Sequence, residues 1–120
     1  MGRLEAYRRE GQRTMSRKVS VIIKRPGGKP YKTNISVSIK NLQNTVDGNI
    51  NIVRMREDMA FIVNEEGHLL GLPYNCTVCG VELYGTVIVI GVKGDEFDDI
   101  PMTFDQAKKL FPQMWEAGRS

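Results

Sequence analysis

The sequence predicts an α+β fold, a mainly antiparallel sheet with two short helices on one face, in the order β-β-α-β-β-β-β-α. Three observations predict it. Apolar and polar residues alternate through most of residues 19–92, the two-residue period of strands. Turn-forming residues recur at short intervals, which leaves hairpin-length connections rather than the long crossovers that parallel strands need. Helical spacing of apolar residues occurs in two places, 38–48 and 103–112.

The elements follow in order. In 19–24, Val19, Val21 and Ile23 alternate with Ser20, Ile22 and Lys24, a strand. Residues 25–30, RPGGKP, are a turn by composition, and 31–37 alternates again as the hairpin partner. Ser38 offers an N-cap to a helix carrying Ile39, Leu42, Gln43 and Val46, and Gly48 stands at its end. Residues 49–55 alternate through Ile50, Ile52 and Arg54, with Val53 on the other face. Glu57 and Asp58 make a tight turn into an inner strand over 59–63. Residues 64–67, NEEG, form a turn in which Gly67 is free to take positive φ. Residues 68–72 read as another strand, and 73–83 as an irregular stretch with a short helical piece. The most apolar run, TVIVIGV over 86–92, is expected as a central strand buried on both faces. After a turn at 94–96, Thr103 and Gln106 have capping-box spacing, and Ala107, Leu110 and Phe111 form the stripe of a last helix. Pro112 ends or kinks it, and Trp115 is expected to pack on the sheet.

At 120 residues the chain reads as one domain, 19–120, preceded by a flexible basic arm, 1–18. A hydrophobic content of 41% against 26% charged residues is ordinary globular usage and argues against disorder of the whole chain. No apolar run reaches the length of a membrane helix, and the N-terminal segment has no apolar core of a secretory signal. Ala6 stands where a myristoylation signal calls for Ser or Thr. The expected compartment is therefore the cytoplasm, with both cysteines reduced. Charge is uneven. The arm holds Arg3, Arg8, Arg9, Arg13, Arg17 and Lys18 against Glu5 and Glu10, a balance of +4, which leaves −1 for the rest of the total of +3. Such an arm can hold nucleic acid through phosphate contacts.

The run FIVNEEGHLLGLPYN from Phe61, followed by YGTVIVIG from Tyr84, resembles the family catalogued as domain of unknown function 3846. The likeness lies in an N-E-E-G-x-x-x-G-L-P-x-N signature, here Asn64, Glu65, Glu66, Gly67, Gly71, Leu72, Pro73 and Asn75. It covers roughly 19–112 and departs at Cys76-Thr77-Val78-Cys79, where relatives are more often polar or charged. The resemblance implies no activity. It implies a setting in phages, plasmids and other mobile elements, and hence an accessory or counter-defence role.

The remaining constellations are read from the residues. Cys76 and Cys79 have zinc-knuckle spacing, but a tetrahedral site needs four ligands, and His68 with Glu82 would have to complete it. Two small thiols are the simpler reading. Glu65 and Glu66 are neighbours on a turn and point apart, unlike the facing carboxylates of hydrolases. His68 has no Ser-type nucleophile motif beside it. No catalytic residue and no cofactor are expected. The candidate contact segment is Asn64, Glu65, Glu66, Gly71, Leu72, Pro73, Tyr74 and Asn75, with Asn64 or Glu65 bonding to the 71–75 stretch to shape a pocket and Asn75 offering its amide to it. The expected function is a non-catalytic accessory protein that sequesters a small nucleotide-like ligand or blocks a host protein. The alternative is nucleic-acid binding through the arm. A homodimer through an exposed strand edge is a further expectation.

Overall fold

A computed structural model describes residues 17–116. Its centre is an antiparallel sheet in the spatial order β2-β1-β7-β4-β3, with β8 attached to β7. The strands are β1 (Lys18–Lys24), β2 (Tyr31–Ser36), β3 (Ile50–Arg56), β4 (Met59–Asn64), β7 (Val87–Lys93) and β8 (Glu96–Asp98). A second sheet is the two-stranded hairpin β5 (Tyr74–Val78) and β6 (Val81–Tyr84). The helices are α1 (Ile39–Val46), α2 (Phe104–Leu110) and α3 (Pro112–Glu116). Among the described residues no helix is long and apolar enough to cross a membrane.

The apolar run over 86–92 does become the central strand. β7 pairs with β4 along one edge (Phe61 opposite Val89) and with β1 along the other (Ile23 opposite Ile88). Farther along that second edge β8 takes over from β1, Val92 lying opposite Phe97. All six residues of β4 are buried, as are the first five of β7, because both faces of the sheet are covered.

Two cores follow from the alternation. On one face Ile22, Met59, Phe61, Val63, Val87 and Val89 meet the β5–β6 hairpin and the C-terminal helices through Cys76, Val78, Leu83, Ala107, Phe111 and Met114. Phe61 and Phe111 pack edge to face with centroids 5.2 Å apart. On the opposite face Val19, Val21, Ile23, Ile62, Ile88 and Ile90 meet Leu42 and Val46 of α1. The helices therefore lie on both faces, not on one. The α+β class and the antiparallel sheet are as expected; the layering is not, because neighbouring residues of β1, β4 and β7 are apolar on both sides and each side needs a cover.

Local signals set the helix ends. Ser38 accepts a bond from the Asn41 backbone N–H at 3.1 Å, and Asp47, in the left-handed region, closes α1. Thr103 and Gln106 form the reciprocal capping box. Pro112 ends α2 but opens α3, where a missing N–H costs nothing. Trp115 packs edge-on to Phe104, centroids 5.3 Å apart.

Three strand expectations are corrected, and α3 makes three helices where two were expected. Residues 68–72 are not a strand: Leu70 N–H donates to Glu66 O and Leu72 N–H to Gly67 O, which curls the chain into a turn. Residues 73–83 are not irregular or helical but form the β5–β6 hairpin, turned at Cys79 (φ 53) and Gly80 (φ 80), two successive positive-φ residues that match the right-handed twist of the strands. β8 was not expected at all; at three residues it is too short to show a period. Strands β2 and β3 end the main sheet without a further strand partner among the described residues, the kind of open edge on which the homodimer expectation rests.

Candidate functional site

The signature segment joins β4 to β5, and its two asparagines are structural. Asn64 is buried. Its Nδ2 donates to Val46 O at 3.0 Å and Asp47 O at 3.1 Å, tying the end of α1 to the sheet. Its Oδ1 accepts from Glu66 N–H at 2.7 Å and starts the turn. It does not bond to residues 71–75. Asn75 is also buried, and its Nδ2 donates to Lys24 O at 2.9 Å and Gly85 O at 2.7 Å, joining the hairpin to the end of β1. Glu65 and Glu66 are exposed. Leu72 folds back over Gly67 and Gly85; a Cβ on Gly85 (φ +79) would come within 2.9 Å of Leu72 Cδ1. Pro73 O accepts the Gly85 N–H at 2.8 Å, and Gly71 turns the chain at φ +73. These bonds make 64–73 a firm projection. At its tip Leu69 is 85% exposed and Leu70 59%, with half-exposed Tyr74 at its base.

An aromatic row supports the projection. The His68 ring lies against Tyr84 (4.8 Å), and Tyr84 meets Tyr74 edge-on (5.7 Å). Tyr84 Oη donates to Glu82 Oε1 at 3.0 Å, and that bond raises the phenol above its usual range. Tyr74 Oη bonds to Thr77 Oγ1 at 2.5 Å.

Beside the projection opens a cleft of about 300 Å3. Its floor is the face of β3 and β4 (Asn51, Val53, Val63), and one end is the turn, with Glu65 and His68. Its wall is β6, all four of whose residues line it. The charged side chains lining it are Glu65 and Glu82. Sequence reasoning singled out Glu65 and His68 and missed the β3 and β6 contributions, which come from distant parts of the chain.

The cysteines do not form a pair. Cys76 is buried in the first core, while Cys79 is exposed at the hairpin turn. Among the described residues no three of His, Cys, Asp and Glu converge on a position that a metal could take, so His68 and Glu82 do not complete a set with them. Burial pushes the Cys76 thiol up to about 11, a shift partly opposed by Lys24. Lys24 is fully buried on the same side of β1 as Ile22. Burial lowers its amine below the usual lysine range, and its Nζ donates to Arg25 O at 3.2 Å.

Of the basic residues assigned to the arm, Arg3, Arg8, Arg9 and Arg13 lie outside the described residues. Lys18 is an exposed member of β1. Arg17 donates to Phe97 O at 2.7 Å and to Asp98 Oδ1 at 3.3 Å, so its guanidinium anchors β8.

Comparison with known proteins gives one family match, to the model described as a domain of unknown function (DUF3846), over residues 18–114. No curated protein and no solved structure matches the chain.

Proposed function

Starting from the fact that the chain belongs to the DUF3846 family over residues 18–114, we propose that it is a non-catalytic binding protein that docks on and blocks a partner protein through the 64–75 projection. The single observation that carries this is the pair Leu69 and Leu70, 85% and 59% exposed on a turn held by its own backbone bonds. Adjacent leucines held out in water on a turn fixed by backbone bonds, with half-exposed Tyr74 at its base, make a contiguous apolar patch of the kind that marks an interaction site. The mobile-element setting implied by the resemblance makes a host protein in the cytoplasm the expected partner.

The non-catalytic part of the reading is supported by the surroundings of the reactive groups. The Cys76 thiol is held protonated by burial, and His68 stacks on an aromatic ring. A nucleotide-like ligand fits less well than a protein, because its phosphates would face Glu65 and Glu82 in the cleft.

The test is capture of host proteins from a lysate by the wild type and by the Leu69→Asp/Leu70→Asp double variant. The reading expects a captured protein that the double variant loses. Equal capture by both, or a thermal shift with nucleotides in the absence of any captured protein, refutes it. Nucleic-acid binding is the second reading, favoured by Arg3, Arg8, Arg9 and Arg13, which against Glu5 and Glu10 give residues 1–16 a balance of +2. It expects retardation of DNA or RNA that falls steeply with salt and disappears when 1–16 are removed.

A further inference from the structure

We infer that the cleft receives an extended, basic segment of the partner, added as a third strand to the open edge of β6. This rests on the docking reading above and names the chemistry of what docks beside the leucines.

The first ground is which residues of β6 line the cleft. Side chains of a strand alternate between its two faces, so a cavity against one face is lined by every second residue. Here Val81, Glu82, Leu83 and Tyr84 all line it. A cleft in contact with four residues in a row runs along the strand's edge. β6 pairs with β5 in a two-stranded sheet, and among the described residues its other edge has no strand partner. A peptide laid along such an edge gains main-chain hydrogen bonds, the mode by which extended segments are recognised.

The second ground is the lining. The floor carries Val53 and Val63, which suit small apolar side chains turned down from an extended chain. A volume of about 300 Å3 is at the small end of ligand sites and suits a short segment. The charged side chains at the cleft are Glu65 at one end and Glu82 along the wall, with no lysine or arginine lining it. An added strand with basic residues at alternate positions would bring them to these carboxylates while its apolar residues face the floor. The same charges disfavour an acidic segment.

The test uses the full chain and short acetylated, amidated peptides, with binding read by calorimetry. One peptide alternates arginine with valine, one glutamate with valine, and a third, the arginine–proline peptide, is the first with two adjacent prolines at its centre, which removes an N–H from whichever alternate set of residues faces β6. The inference expects the arginine–valine peptide to bind, the glutamate–valine peptide not to bind, and the arginine–proline peptide to bind more than about tenfold more weakly. The Glu65→Gln/Glu82→Gln variant should weaken the first peptide by about fivefold to tenfold, the scale of two exposed ion pairs. No binding of the arginine–valine peptide, equal binding of the proline peptide, or unchanged affinity in the glutamine variant overturns it. The Leu69→Asp/Leu70→Asp variant separates the two readings. Failure of the peptides with leucine-dependent capture intact sinks the strand addition alone. Capture that ignores the leucines sinks the docking surface whatever the peptides do.

Discussion

Asn64→Asp keeps the shape of the side chain and changes one group, the amide that donates to Val46 O at 3.0 Å and to Asp47 O at 3.1 Å. The Oδ1 that accepts from Glu66 N–H is retained, so the change isolates the tie between β4 and the end of α1. Two carbonyls lose their donor and meet a carboxylate oxygen in its place. A buried carbonyl left without a partner costs about 1–3 kcal/mol. The bond to Val46 is buried and that to Asp47 partly so, which places the loss at about 3–5 kcal/mol. A domain of this size has about 5–15 kcal/mol in total, so the variant should fold and be weak. The assay is urea unfolding of wild type and variant at neutral pH and near the carboxylate range. The new carboxyl sits against two carbonyls, so its folded pKa is raised above its unfolded value. The deficit is therefore fully present above the folded pKa and shrinks as acid restores an O–H donor. A difference under about 0.5 kcal/mol at neutral pH, or one that grows on acidification, would refute the structural role of Asn64 and return it to the candidate contacts.

Two further changes test the interior. The Cys76 thiol is held at about 11 against its usual 9.0, so below pH 9.0 both folded and unfolded chains keep the proton. As pH rises toward 11 the unfolded chain loses its proton first, and wild type should lose about 2–3 kcal/mol relative to Cys76→Val, read by urea unfolding under reducing conditions. Parallel pH profiles would show that the thiol is not sequestered. Gly85→Ala should cost about 1–2 kcal/mol, because φ is +79 and the new methyl meets Leu72 Cδ1. A neutral result in thermal unfolding would mean that Leu72 is not packed over Gly85.

Where one residue and its near neighbours decide the structure, the sequence was readable. Ser38 capping α1, the Thr103–Gln106 box opening α2 and the apolar run of β7 are such cases. Residues 68–72 failed because five residues with apolar Leu69, Leu70 and Leu72 look alike as a strand and as a curl; the bonds from Leu70 to Glu66 and Leu72 to Gly67 decide between them. The β5–β6 hairpin had a signal, Cys79-Gly80 between β-formers, which the zinc-knuckle spacing of Cys76 and Cys79 obscured. Asn64 and Asn75 stood out as polar residues in a signature, yet nothing local could say that their partners are Val46, Lys24 and Gly85, each 10 or more positions away.

By itself the sequence determined the α+β class, the β1–β2 and β3–β4 hairpins, the helix N-caps and the identity of the central strand, because propensity, alternation and capping act within a few residues. Tertiary structure alone decided which face each helix covers, that Lys24 is enclosed, and that Asn51, Glu65 and the whole of β6 share one cleft. Those outcomes depend on strand order and on the packing of one layer against another, and the chain meets those contacts only once its distant parts have come together.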